Sequence, residues 1–180
     1  MVEIDSLVVE ACKEFIPQTS CSLDHEKLEL IIGDGVKYAA ETKEKFDVVL
    51  VDSTDPIGPA APLFNVKFYD DIRNLLNDKG IVVSQCESPY YYLKEQKGLL
   101  KILKEVFETV SLYSYSNLTY PGSLWSFSFA SKGLHPIKDF EKERVWNSSL
   151  DFKYYNAEIH QAAFAHPNFM RKELEGLLTF

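Results

Sequence analysis

The feature that most constrains this chain is Phe46-Asp47-Val48-Val49-Leu50-Val51, a nearly unbroken apolar run that stops abruptly at Asp52-Ser53-Thr54-Asp55-Pro56. A short run of this composition is the pattern of a parallel strand buried on both faces. Polar residues that begin where the strand ends mark its carboxyl end, and in open α/β sheets ligands bind outside that end.

The segments on either side fit the same architecture. Met1 to Ile4 read as the end of a strand, and Asp5 is placed to cap a helix carrying Val8, Val9, Cys12, Phe15 and Ile16 at helical spacing. Leu28 to Ile32 read as a second strand, Gly33-Asp34-Gly35 as a turn and Val36 to Glu41 as a short helix. Beyond a Pro/Gly/Ala loop ending at Pro62, a helix is expected over about residues 65 to 77, and Gly80 introduces a strand from Ile81 to Ser84. An amphipathic helix with Leu93, Leu99, Leu100, Leu103, Val106 and Phe107 follows. Val110 to Tyr115 and Leu124 to Ala130 are two more strands, the second alternating as Trp125, Phe127 and Phe129. Strands that alternate with helices predict a mostly parallel, doubly wound α/β sheet with an antiparallel strand at its end. The tail from Pro136 is helical and aromatic without linker composition, so residues 1–180 are expected to form one domain packed on that sheet.

Composition narrows the partners. The formal charge is −8 and no Lys/Arg run stands out, which argues against nucleic acid and anionic membranes and favours a cationic ligand. Cys12, Cys21 and Cys86 form no C-x-x-C pair and have no histidine at ligand spacing, so neither a metal site nor a disulfide framework is expected. The first residues show no basic region followed by an apolar stretch, and no apolar run approaches the ~20 residues of a membrane span. A cytoplasmic protein is the expectation.

Three successive strand ends carry acids: Glu3, then Asp34 beside Gly35, then Asp52 and Asp55. Any one of them is an ordinary helix cap or loop acid. Together they suit a nucleoside, because a carboxylate after one strand accepts both ribose hydroxyls and one after the next accepts from an adenine amino group. The four histidines, at 25, 135, 160 and 166, share no spacing or acidic partner and are read as structural. Cys86 is read as a small buried residue, and Trp125 as core.

The segments Val2-Glu3-Ile4-Asp5, Gly33-Asp34-Gly35, Phe46 through Asp52-Ser53-Thr54-Asp55-Pro56-Ile57-Gly58-Pro59, and Leu118-Thr119-Tyr120-Pro121-Gly122 together resemble the spermidine synthases, the polyamine aminopropyltransferases. Gln85, Trp125 and Tyr154-Tyr155-Asn156 extend the resemblance over nearly the whole chain. It implies a Rossmann-like fold of the S-adenosylmethionine-dependent methyltransferase type. It also implies transfer of an aminopropyl group from decarboxylated S-adenosylmethionine, as co-substrate, to putrescine, giving spermidine and methylthioadenosine without a prosthetic group. By the same resemblance Asp52 is the catalytic base, Asp52, Asp55, Tyr120 and Gln85 bind the amine, and Glu3, Asp34, Gly35 and Pro59 bind the nucleoside.

The resemblance further implies that an N-terminal β-rich domain, a first strand and its glycine-rich loop are missing here. That strand lies at the sheet's centre, between the second and fourth, so the strands present are expected to separate into two groups. A homo-oligomer, or a complementing chain that supplies the missing half, is the expected partner, and the resemblance implies that activity needs that half. A methyltransferase would use Glu3 and Asp34 equally well, but the acids of residues 52–55 would repel a methionine carboxylate. A non-catalytic subunit of the same fold is the third reading.

Overall fold

In the computed structural model, residues 1–53, 58–120, 122 and 124–179 are described, apart from the side chain of Pro59. They form two compact units, Met1–Lys43 and Glu44–Phe180.

In the first unit, strand β1 (Val2–Glu3) leads through the Asp5 cap into helix α1 (Ser6–Phe15), a short helix α2 (Pro17–Ser20), strand β2 (Ile31–Ile32) and helix α3 (Gly35–Glu41). β1 and β2 pair in parallel, Val2 with Ile31 and Glu3 with Ile32. The cap is formed as the sequence predicts, with the Leu7 amide donating to Asp5 Oδ1 at 2.9 Å, a contact worth about 1 kcal/mol. Two expectations fail here. The second strand is two residues long rather than five, and the apolar stripe of α1 buries only Val9, while Val8, Phe15 and Ile16 stay exposed. Helical periodicity reports that a face is apolar; whether it is covered depends on what lies opposite.

The second unit holds strand β3 (Phe46–Val51), a 3-10 turn at Gly58–Leu63, helix α4 (Val66–Leu75), strand β4 (Leu76–Gln85), helix α5 (Leu93–Val106), strands β5 (Thr109–Ser116) and β6 (Leu124–Ser131), and helices α6 (Lys142–Trp146), α7 (Ala157–Ala163) and α8 (Asn168–Glu173). Its sheet has the order β3-β4-β6-β5, with β3 parallel to β4 and β6 antiparallel to both of its neighbours. The crossover is built around α4. Asn65 Oδ1 caps it by accepting from the Phe68 amide at 2.8 Å, and Phe68, Tyr69, Ile72 and Leu75 fall on one buried stripe. Tyr69 is tied to β4 by a buried 2.9 Å hydrogen bond with Ser84. Gly80 is required where it stands, because a Cβ there would lie 2.6 Å from Cβ of Leu76.

The antiparallel end of the sheet is as predicted, but the depth of its two faces is reversed. Ser126, Ser128 and Ala130 are more deeply buried than Phe127 and Phe129. The small residues face away from the aromatic side, where β5 and β6 set Tyr113 and Tyr115 against Phe127, and Phe164 packs on Tyr113 and Phe129. The tail thus packs on the sheet as expected.

β3 departs most from expectation. None of its residues is fully buried, and Val48 and Leu50 are 52% and 73% exposed. Its neighbour is β4 on one side only, so the residues suited to burial on both faces stand at an edge. The strands do fall into two separately paired groups, β1 with β2 and β3 with β4, β6 and β5. Among the described residues no helix is long and apolar enough to cross a membrane.

Candidate active site

In the first unit the acids gather at the carboxyl ends of the paired strands. The Gly33 amide donates to the Glu3 carbonyl at 2.8 Å, so the Gly33-Asp34-Gly35 turn lies alongside the tip of β1. Glu3 Oε1 accepts from the Asp5 amide at 2.9 Å, which orients the carboxylate against the start of α1. Asp34 caps α3, its Oδ1 accepting from Val36 at 2.8 Å and Lys37 at 3.4 Å. The ordinary reading of Asp34 as a helix cap is therefore true, and it places the acid where the helix N-terminus adds positive field. A Cβ at Gly35 would meet nothing within 4 Å, which leaves the turn open on that side.

In the second unit, Val51 pairs with Ser84, so Asp52 and Gln85 leave the sheet at adjacent positions. Asp52 is exposed, and Gln85 sits opposite Phe127 of β6, which in turn faces Tyr113 of β5. Residues directly opposite share a face, so Gln85 joins the aromatic side of the sheet. Its Oε1 is buried and accepts no hydrogen bond from the described residues. An unmet buried acceptor costs about 1–3 kcal/mol, a cost that a ligand N–H removes. Tyr120 is half-exposed and lies flat on buried Trp125, ring centroids 4.7 Å apart at 21°. Trp125, read from the sequence as core, is core and is also the platform for Tyr120. Asp55 and the side chain of Pro59 lie outside the described residues.

Tyr115 was missed by sequence reasoning. Its ring stacks on Phe127 at 5.0 Å and 16°, and its hydroxyl accepts from Asn117 Nδ2 at 3.3 Å. Burial raises its pKa above the usual tyrosine value, with the Tyr120 hydroxyl and the Asp52 carboxylate adding to the effect. Asp52, Tyr115 and Tyr120 thus share one electrostatic neighbourhood. No local sequence pattern shows the register that sets Tyr115 opposite Trp125 and on its face.

Behind Gln85 a buried polar network fixes the end of β4. Ser126 Oγ reaches the carbonyls of Cys86 and Glu87 at 2.7 and 2.8 Å, and Gln96 Nε2 donates to Cys86 O at 3.1 Å and to Ser126 Oγ at 3.0 Å. Glu87, buried, has φ +62°, the one left-handed non-glycine among the described residues. Such strain persists only where surroundings over-determine it. Burial pushes the Cys86 thiol well up, so it is no nucleophile.

The histidines stand apart. His25 Nδ1 accepts from Lys27, and His135 Nδ1 from Ile137 and Lys138. His160 bridges Tyr155 and Pro136, and His166 is buried in the tail. No metal-binding cluster occurs among the described residues.

Residues 1–142 match the spermine/spermidine synthase domain. The chain belongs to the spermine/spermidine synthase family. It is 41% identical over 175 residues to the polyamine aminopropyltransferase of Thermotoga petrophila, covering 97% of this chain and 59% of that protein. It is 42% identical over 181 residues to that of Methanocaldococcus jannaschii, covering 98% and 61%. It superposes with TM-score 0.92, at 40% identity, on a crystal structure of spermidine synthase in complex with the transition-state analogue AdoDATO, covering 96% of this chain and 59% of that one. The chain thus spans about six tenths of these relatives' length. The fold is the Rossmann-like one of the family.

Proposed function

We propose that this chain is the part of a polyamine aminopropyltransferase that handles the amine and much of the nucleoside, with decarboxylated S-adenosylmethionine and putrescine as substrates and spermidine and methylthioadenosine as products. The observation that carries the reading is the exposed carboxylate of Asp52 next to the unmet acceptor of Gln85, within the field of Tyr115 and Tyr120.

An alkylammonium has a pKa near that of lysine, ~10, and carries no lone pair until a proton leaves. Asp52 attracts the cation and takes that proton. Gln85 Oε1 accepts from a second N–H, and the Tyr120 ring, backed by Trp125, offers its outer π-face to the diamine's other ammonium, worth about 0.5–2 kcal/mol. The freed lone pair attacks the methylene carbon bound to the sulfonium. The C–N bond forms as the C–S bond breaks, the bonding pair passes to sulfur, and the sulfonium becomes a neutral thioether. The leaving group needs no acid, so rate comes from alignment and from deprotonation. Asp55, sharing the Asp52 loop, is assigned the amine by the motif alone. In the first unit, Glu3 is assigned the ribose hydroxyls and Asp34 with Gly35 the adenine, and Pro59 is a nucleoside residue by the motif alone.

The reading includes the segment that the longer relatives carry beyond the matched part, supplied by a partner polypeptide or by the native gene. The matched relatives are longer, and β3 has an apolar edge on which no strand lies among the described residues. A cytoplasmic setting is inferred from three free cysteines. A methyltransferase finds no support in the relatives.

The test is release of methylthioadenosine from decarboxylated S-adenosylmethionine and putrescine, by the chain alone and mixed with the separately produced N-terminal part of the Methanocaldococcus relative. Asp52→Asn is expected to lower turnover about 10²–10⁴-fold. Turnover only in the mixture makes the chain a subunit; turnover in neither refutes the reading.

A further inference from the structure

Three consecutive tyrosines between β4 and α5 dock on three different elements. Tyr90 stacks on Phe169 of α8, ring centroids 5.2 Å apart. Tyr92 meets Trp125 of β6 edge-on at 6.2 Å. Tyr91 lies on Gly122, where a Cβ would fall 2.6 Å from its Cε2 and 3.5 and 3.6 Å from Cδ2 and Cζ. Gly122 has φ +83°, so its missing side chain is needed twice, for the backbone and for the ring. Its carbonyl accepts from the amide of Leu124, the first residue of β6, at 2.6 Å.

Fold stability does not explain this contact. Tyr91 is 63% exposed, and substitutions at such positions ordinarily change stability by less than ~0.5 kcal/mol. What the ring does is local. Tyr91 touches Gly122, two residues after Tyr120, while Tyr92 meets Trp125, the ring on which Tyr120 lies. Tyr120 completes the stack on Trp125.

We propose that Tyr91 is a positioning residue for the amine site, pressing on Gly122 to keep Tyr120 flat on Trp125 and so setting affinity for the diamine. This rests on the aminopropyl-transfer reading for its ligand, though not for its geometry. Loosening the clamp lets Tyr120 leave its platform, and the diamine must then bear the cost of ordering that side chain.

The test uses the full chain with Trp146→Phe, so that emission comes from Trp125 alone, the sequence having two tryptophans. Acrylamide quenching reports whether Tyr120 covers Trp125, and titration with putrescine reports affinity. Tyr91→Ala is expected to raise the quenching constant and weaken putrescine binding roughly 2- to 10-fold, the ordering cost of one side chain, with the melting temperature unchanged. Tyr91→Phe keeps the ring and restores both values, because no hydroxyl contact is invoked. Gly122→Ala reproduces the Tyr91→Ala defect. If Gly122→Ala does not fold, Tyr91→Ala decides. A parent that binds putrescine beside a Tyr91→Ala variant with unchanged affinity or quenching overturns the clamp and leaves the function standing. A parent that ignores putrescine removes the function from this chain and the positioning role with it.

Discussion

The sheet of the second unit has two edges, and they are treated in opposite ways. On β5, Thr109 to Leu112 are buried, and the chain's own C-terminus covers the outer side. The Thr179 amide donates to Val110 O at 2.7 Å, its Oγ1 accepts from the Val110 amide at 3.1 Å, and Ser111 Oγ donates to its carbonyl at 3.3 Å. Met170, Leu174 and Leu178 are buried in the same tail. On β3 no described residue continues the ladder, and Val48 and Leu50 face solvent. β3 is the more apolar of the two strands by sequence. An apolar run records the surroundings a strand is suited to, and these surroundings exist only where chain is available to supply them.

The largest test of this contrast is a truncation on each side. Leu174→Ala removes a fully buried side chain under the covered edge and is expected to cost about 2–5 kcal/mol, cavity included. Leu50→Ala, at an exposed position, is expected to cost less than ~0.5 kcal/mol. Urea unfolding followed by circular dichroism measures both. Equal losses would mean that β3 is covered in solution and that the contrast is false.

The covered edge should also be the acid-sensitive one. His166 is buried, and its Nδ1 has no hydrogen-bond partner among the described residues. Burial, with the Arg171 charge beside it, lowers its pKa below the ordinary histidine value. The folded protein therefore binds fewer protons than the unfolded chain just below that value, about 6.5. Stability is full above it and falls as pH drops towards the folded pKa. Thermal melts from pH 7.5 to 5 are expected to show that fall, and His166→Gln to reduce it. His135 is shifted in the same direction by its own burial, so part of the slope survives. A slope untouched by His166→Gln assigns the sensitivity elsewhere.

What was legible in the sequence follows the same division. The elements of the second unit could be read from their period: the leucines of α5, the alternation of β6. The acids at strand ends could be read because few folds need them there, and the Asp-Ser-Thr-Asp-Pro motif named a family. Tyr115 could not, because its neighbours arrive from β6 through a register no local pattern reveals. Nor could the Tyr91 contact, which depends on a glycine 31 positions away. The burial of β3 and of the α1 stripe was misread for one reason: periodicity shows which residues want cover, not whether cover is present.

A smaller effect isolates the strap itself. Thr179→Ala removes the Oγ1 acceptor for the Val110 amide while leaving the backbone pairing in place. It is expected to cost about 1 kcal/mol and to speed amide exchange at Val110 ahead of the rest of β5. Protection unchanged at Val110 would show that the backbone contact alone seals this edge.

The smallest effect on stability comes from Leu50→Lys and has the clearest consequence for the open edge. A lysine at a solvent-facing edge position barely alters the folded chain, within about 0.5 kcal/mol, but it opposes the approach of another strand. If β3 is uncovered, the parent should self-associate with rising concentration and the variant should not, as read by sedimentation velocity. The variant should likewise fail to gain activity from the N-terminal part of a relative. A parent that stays monomeric throughout, and a variant complemented as well as the parent, would mean that this edge accepts no strand and that its apolar side chains serve something other than pairing.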